Sequence, residues 1–411
     1  MDNIATQSSI AQASLSDSLA KKILLRALAH LAQGQLTIVD GTQSHVFGDH
    51  NSALHATMQV QHPSFYRQVV FGGSIGAGEA YIQGHWCSPD LTKVVQVFAR
   101  NLALLDNIER YFSWLSNGIN RIKHVFNRNS QSGSKRNILA HYDLGNDMYQ
   151  TFLDPEMMYS SAIYPTDDAC LAQAQLHKLD TICQRLELQP GQTLLEVGTG
   201  WGALAIYAAK HYGVTVTTTT ISDAQYDYAV ARVNSEGLAD KVTLLKQDYR
   251  ELTGEYDRVV SIEMIEAVGH EYLPGFFEKL QHLLKPEGKL LIQAITIADQ
   301  RYDSYRKSVD FIQRYIFPGG CLPSISEMSR HIANKTDMVI WSIDDIGLDY
   351  ARTLKHWHDN FDHAKQTITE LGYGDDFIRM WKFYLSYCEG GFLERTTSTV
   401  HLTAVRPGYR C

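Results

Sequence analysis

A chain of 411 residues is long enough for two domains, and a 44% apolar composition supplies sizeable cores. The net charge of −8 argues against nucleic acid as a partner, and no apolar run approaches the roughly 20 residues needed to span a bilayer. The opening Met1-Asp2-Asn3 carries no basic and apolar signal region, and the six cysteines form no C-x-x-C pair. Reduced thiols in a cytoplasmic protein, and no metal centre, are the expectation.

In chain order, residues 17–33 place Leu19, Ile23, Leu24, Ala27, Leu28 and Leu31 at helical spacing, with Lys21, Lys22 and Arg26 elsewhere on the surface. Such a helix either caps a core or lies on a membrane surface. Residues 37–47 and 56–69 read as short strands. The glycines of 72–86 (Gly72, Gly73, Gly76, Gly78, Gly84) precede no Lys-Ser/Thr pair, so turns and close backbone packing are expected in place of a phosphate cradle. Residues 1–125 are thus expected to form a separate small α+β domain. Residues 1–140 carry 12 Lys/Arg against 8 Asp/Glu. From Arg121 to Arg136 five basic residues occur without an acid. Residues 126–140 read as a flexible basic linker, either simply solvated or drawn to an anionic membrane surface.

The remainder, 141–411, has a different rhythm. Strands are expected at 192–197, 213–220, 242–246, 258–262 and 289–297, separated by helices at 203–211, 224–235 and 273–284. A last strand at 397–406 should run antiparallel at the sheet edge. Strands alternating with helices imply right-handed crossovers and a doubly wound, mostly parallel α/β sheet. Between the first strand and helix stands Leu194-Leu195-Glu196-Val197-Gly198-Thr199-Gly200-Trp201-Gly202. Glycines allow a sharp turn and close approach to a ligand. The spacing is G-x-G-x-G with an acid two residues ahead, whereas dinucleotide binders use G-x-G-x-x-G with the acid about 20 residues later. S-adenosylmethionine, with an ammonium and no pyrophosphate, fits better. The expected strand ends add Thr220, Asp248, Glu263 and Glu266, and Gln293 lies within the fifth strand. Aromatics of 302–396 (Tyr305, Phe311, Tyr315, Phe317, Trp357, Phe361, Trp381, Phe383, Tyr384, Phe392) suit either an acyl tunnel or an ordinary helical core.

Several blocks in order carry a family resemblance: His141-Tyr142-Asp143-Leu144-Gly145-Asn146-Asp147, Asp154-Pro155-Glu156-Met157-Met158-Tyr159-Ser160, the glycine turn with Trp201, and Thr220-Ile221-Ser222 with Gln225. Glu266-Ala267-Val268-Gly269-His270, Arg314-Tyr315-Ile316-Phe317-Pro318-Gly319-Gly320 and Tyr384-Leu385-Ser386-Tyr387-Cys388-Glu389-Gly390-Gly391-Phe392 complete the set. From about Phe71 to Pro407 the chain resembles the cyclopropane-fatty-acyl-phospholipid and mycolic acid cyclopropane synthases. The resemblance implies a seven-stranded methyltransferase sheet with an acyl-binding helical insertion at about 300–396. It also implies transfer of the sulfonium methyl to a cis double bond of an unsaturated phospholipid, at the inner face of the membrane.

By the same resemblance, Tyr159, Ser160, Gly198, Gly200, Thr220, Ile221, Gln225, Tyr249 and Arg250 contact S-adenosylmethionine, with Glu196 beside them. A bound bicarbonate would accept the proton, held by Glu266, the backbone of Ile295, Tyr350 and two positions that depart from the family. Ser161 stands where cysteine is usual and Gln293 where histidine is usual; both can still donate to an anion. Proton loss from a neighbouring chain carbon, giving a methyl-branched or methylene acid, therefore stays open beside ring closure. Cys388 matches a cysteine proposed as catalytic, although a buried structural thiol explains it equally. Methylation of a soluble small molecule stays open as well, as does lipid binding by a protein that has lost catalysis. Oligomeric state is open, with a homodimer among the choices.

Overall fold

The computed structural model describes residues 14–104 and 145–410. The basic linker at 126–140 and the block from His141 to Leu144 lie outside the described residues. The chain divides into two compact units, one joining Tyr373–Glu394 to the N-terminal residues, the other holding the rest.

The first unit is built on a four-stranded sheet of β1 (Gln35–Asp40), β2 (Gln43–Gly48), β3 (His55–Val60) and β4 (Trp86–Cys87), in the order β2-β1-β3-β4. Leu36 and Ile38 of β1 and Ala56 and Met58 of β3 alternate into the core, as the two-residue strand period requires. Helix Leu15–Leu28 begins at a capping box in which Ser14 and Asp17 satisfy each other's backbone N–H. The expected strand at 56–69 ends at Val60, and helix Ser64–Ile82 follows. The glycine-rich segment is therefore helical, with a break at Gly73, whose φ is 55° and ψ −138°. The break folds the helix back on itself. A Cβ at Gly76 would lie 2.0 Å from the Gln68 carbonyl oxygen, so glycine is required by that contact.

Helix Asp375–Leu393 also belongs to this unit, not to an insertion over the second unit's sheet. Gly390 leaves no room for a Cβ beside Val95, Thr92 Oγ1 donates to Glu389 at 2.9 Å, and Arg379 Nε donates to the Tyr81 carbonyl at 2.5 Å. Trp381, Phe383, Tyr384 and Phe392, four of the aromatics considered for an acyl tunnel, are buried on this helix. Helical spacing placed them on one face; their partners are the helices of the N-terminal residues. Cys388 lies on the same helix.

The second unit holds β5 (Thr193–Val197), β6 (Thr215–Thr220), β7 (Val242–Lys246), β8 (Tyr256–Ile262), β9 (Leu284–Ile297), β10 (Val339–Asp345) and β11 (Thr397–Val405). Their order is β10-β11-β9-β8-β5-β6-β7. Strands β5 to β9 are mutually parallel, and β11 runs antiparallel to β9 and β10. The final strand is therefore internal, with the unanticipated β10 outside it. Both faces are covered: Phe276, Phe277, Met328 and Ile332 pack on one, and Ile182, Ala205, Ala208 and Ala209 on the other. Burial on two sides explains the apolar runs Leu194-Leu195 and Leu290-Leu291-Ile292. The chain winds outward from β5 in both directions, so the crevice at the carboxyl ends of β5 and β8 is the topological switch point, where such sheets bind ligands.

Candidate active site

The glycine turn is fastened to its neighbour strand. Gly198 and Thr199 both donate their backbone N–H to the Thr219 carbonyl, at 3.1 and 3.0 Å. Gly198 has φ 105°, where a Cβ is strongly disfavoured, and it keeps accessible surface. Glu196 is buried beneath, accepting from Thr218 Oγ1 at 2.6 Å, and Thr218 in turn meets Thr199 Oγ1 at 2.7 Å. Thr220 donates to Gln225 Oε1 at 3.0 Å, and Ser222 caps the helix Asp223–Ser235. Tyr249 packs edge-on against Phe276, and Arg250 pairs with Asp248 at 2.6 Å. Gly198, Gly200, Ile221, Tyr249 and Arg250 all retain accessible surface at this end of the sheet.

Over the turn lies the segment before the first strand. Trp201 Nε1 donates to Asn146 at 2.8 Å, and Tyr149 packs against both Trp201 and Tyr159 at 5.2 Å between ring centroids. Tyr159 also meets Trp357 at 5.3 Å and Phe317 at 6.4 Å. Ser160 is held from below: its hydroxyl accepts from Lys178 Nζ at 2.8 Å and its carbonyl from Gln175 at 3.0 Å. Lys178 and Gln175, both fully buried, were not singled out in the sequence because each looks like an ordinary polar position of a helix.

Burial pushes the Glu196 carboxyl up to about 8, with the Thr218 hydrogen bond opposing it. The folded protein thus keeps a proton that the unfolded chain releases near 4.5. Stability from this proton is fully present below the unfolded value and is lost as pH rises through about 8. Glu196→Gln is expected to flatten the fall in melting temperature of unliganded protein between pH 5 and 8.5, by up to roughly 1.4 kcal/mol per pH unit. An unchanged slope in thermal scans would remove Glu196 as the proton holder.

At the ends of β8 and β9 the candidate reaction residues meet, but around a side chain the sequence reading left among the strand-end acids. Glu263 accepts the Ser161 backbone N–H at 2.9 Å and Gln293 Nε2 at 2.7 Å on Oε1, and the Tyr350 hydroxyl at 2.9 Å on Oε2. The Ser161 hydroxyl turns away to the Ala162 carbonyl, 3.0 Å away. Glu266 Oε1 accepts the Ile295 N–H at 2.5 Å, and its enclosed Oε2 has no hydrogen-bond partner. Burial, then the nearby Glu263 charge, push Glu266 up to about 8. Burial also raises Glu263, against its donors and Lys178. Both carboxylates retain some accessible surface although densely surrounded.

A buried chain stands behind Gln293. Pairing of β9 with β11 sets Gln293 opposite His401, whose Nε2 lies 2.8 Å from Gln293 Oε1; Arg185 Nη1 lies 2.6 Å from His401 Nδ1. Guanidinium only donates, so Nδ1 accepts and Nε2 carries the proton. His401 is held neutral, well below its ordinary range, by burial and the Arg185 and Lys178 charges. The Gln293 amide must therefore turn its NH₂ toward Glu263.

A bicarbonate does not fit this arrangement. The Ser161 N–H, Gln293 Nε2 and the Tyr350 hydroxyl converge on Glu263, and the Ile295 N–H on Glu266. A second anion would meet carboxylates where donors were expected.

Comparison with known proteins agrees with the geometry. The profile of the family described as mycolic acid cyclopropane synthetase matches residues 129–402. The tuberculostearic acid methyltransferase UfaA1 of Mycobacterium tuberculosis is 35% identical over 96% of this chain and 93% of its own length. The cyclopropane-fatty-acyl-phospholipid synthase of Escherichia coli is 37% identical over 84% of this chain and 86% of its own. Among solved structures, the cyclopropane synthase MmaA2 from Mycobacterium tuberculosis superposes with TM-score 0.62 at 29% identity, covering 66% of this chain and 98% of that one. Mycolic acid cyclopropane synthase CmaA1, complexed with SAH and CTAB, gives TM-score 0.62 at 30% identity, with the same coverages of 66% and 98%. With this sheet, this glycine turn and these matches, the chain belongs to the mycolic acid cyclopropane synthetase family of S-adenosylmethionine-dependent methyltransferases.

Proposed function

We propose that this enzyme methylates the cis double bond of unsaturated phospholipid acyl chains and closes a cyclopropane ring. The observation that carries this reading is a carboxylate pair walled by aromatic rings beside the cofactor turn. Tyr350 bonds Glu263 and packs on Trp357 at 6.0 Å, Trp357 packs on Tyr159, and Met264, next to Glu263, lies about 3.5 Å from where a Gly198 Cβ would stand. An alkene is a weak nucleophile whose attack leaves a carbocation; anionic and aromatic surroundings that exclude water stabilise it. An amine or hydroxyl acceptor would not call for such a wall.

In this scheme Gly198, Gly200, Thr220, Ile221, Gln225, Tyr249 and Arg250 seat the cofactor. Tyr159 and Ser160 close over it, and Glu196 braces the turn from below. Extracting lipids from a host that makes only unsaturated phospholipids, after expression of this protein, tests the product. High-field cyclopropyl proton signals in NMR are expected, and unmodified lipids would reject the reading. A second reading is the same transfer followed by proton loss from a neighbouring chain carbon. It is favoured by the match over nearly the whole chain to an enzyme named for tuberculostearic acid. Olefinic methylene signals replacing cyclopropyl ones would select it.

Peripheral attachment to an anionic membrane surface is part of the proposal. Leu15 and Leu19, 92% and 61% exposed, line up with exposed Lys22 and Arg26 along helix Leu15–Leu28. Apolar residues followed by basic ones on one face suit the interface of a charged leaflet. The double substitution Leu15→Asp, Leu19→Asp is expected to weaken cosedimentation with phosphatidylglycerol vesicles. Equal binding would remove this helix from the membrane contact, and no binding by the native protein would favour a soluble substrate.

A further inference from the structure

We propose that the Glu263 carboxylate is the enzyme's own base and makes a bound bicarbonate unnecessary, an assignment that rests on the alkene-methylation reading above. Three observations converge on this side chain. Its backbone is in the left-handed region at φ 47°, an arrangement a non-glycine residue adopts at a cost of about 1–3 kcal/mol and one that clusters at functional sites. Its carboxylate gathers the very groups expected to hold an external anion: the N–H of Ser161, the amide of Gln293 and the hydroxyl of Tyr350. The relay from Arg185 through His401 to Gln293 is polarised in one direction, so the last member can only donate, and Glu263 is the acceptor at its end.

The hydrogen bonds also say where a proton can land. A carboxylate has about four acceptor sites, two on each oxygen. Oε1 accepts two hydrogen bonds and Oε2 one, so one lone pair of Oε2 stays open. Glu263 keeps accessible surface at the switch-point crevice. Glu266, three residues on, does not share the charge: its unpartnered Oε2 is enclosed. Two close carboxylates in one pocket divide the roles, with the proton on Glu266 and the negative charge on Glu263.

The step balances without a further reactant. The methyl carbon forms a bond with one alkene carbon using the π pair, while the methyl–sulfur pair leaves with sulfur as neutral S-adenosylhomocysteine. The other alkene carbon becomes cationic. Glu263 Oε2 takes a proton from the added methyl, and the released C–H pair closes the ring. Removal of a proton from an adjacent chain carbon balances in the same way and gives the branched alkene.

The test compares native enzyme with Glu263→Gly and Glu263→Gln, in buffer purged of carbon dioxide and in buffer with added millimolar bicarbonate. Glycine suits the backbone at this φ and leaves the donors with a vacated anion site; glutamine keeps the shape without the charge. Cofactor affinity by calorimetry shows that each variant is folded. The native rate should be indifferent to bicarbonate. Both variants should lose activity about 10²–10⁴-fold, the usual contribution of a positioned base. Bicarbonate or formate should raise Glu263→Gly activity but not Glu263→Gln activity. A readout independent of turnover is ¹³C-bicarbonate binding by NMR, expected for Glu263→Gly and absent for native enzyme. A native rate that falls in purged buffer, bicarbonate bound by native enzyme, full activity of Glu263→Gln, or a Glu263→Gly site that binds no anion would each overturn the assignment. Native enzyme that methylates no lipid in either buffer would instead overturn the reading on which it rests.

Discussion

Gly198→Val should abolish useful S-adenosylmethionine binding. At φ 105° a β-branched residue is strained by about 1–3 kcal/mol, and the backbone relieves this only by moving. Movement is opposed by the two hydrogen bonds that tie Gly198 and Thr199 to the Thr219 carbonyl. If the backbone holds, the new methyls press on Met264, whose Cβ and Cγ lie 3.5 and 3.6 Å from the ideal Cβ position, or project into the crevice. Either outcome removes the close backbone approach that the ligand needs. A loss of about 3 kcal/mol, roughly 100-fold in Kd, is the expectation for calorimetric titration. Native affinity in a folded Gly198→Val protein would show that the cofactor sits elsewhere.

His401→Leu is the second large effect, and it reaches the site from behind. His401 is fully buried and joins Arg185 to Gln293. Leucine fills a similar volume but leaves the Gln293 carbonyl oxygen and an Arg185 N–H without these partners. Each orphaned buried group costs about 1–3 kcal/mol, so about 2–4 kcal/mol of stability should be lost. For a unit of this size that lowers the melting temperature by roughly 5–15 °C. The same change frees the Gln293 amide to rotate and present its oxygen to Glu263. The turnover number should therefore drop while cofactor affinity is kept, separating a positioning role from a purely structural one. A melting temperature within a degree of native would mean that the Arg185–His401–Gln293 relay does not form in the folded protein.

The parallel strands were readable in the sequence because burial on both faces writes itself as short apolar runs. The glycine turn was readable because only glycine satisfies its backbone angles. Other features depend on contacts that no local window contains. Ser64–Ile82 carries four glycines that argue against a helix, and the reason for one of them, Gly76, is a carbonyl eight residues back. Strand β10 alternates exposed Val339, Trp341 and Ile343 with half-buried residues, the pattern of an edge, inside a region read as helical. The aromatics of Asp375–Leu393 had the right spacing for a packed face, but spacing does not name the partner. Glu263 was visible only as a polar strand end. Its direction comes from a positive φ and from donors contributed by Ser161, Gln293 and Tyr350, which are far apart in the chain.

The path of the polypeptide has a practical corollary. Because Asp375–Leu393 returns to the N-terminal unit and β11 then re-enters the larger sheet between β9 and β10, neither body is one uninterrupted stretch of chain. A fragment cut before Asp375 would strip helix Ser64–Ile82 and helix Leu91–Arg100 of their cover, and would also split the larger sheet beside β9. Dissection by simple truncation would therefore damage both bodies at once, and grafting either onto another protein calls for circular permutation or insertion at an internal loop.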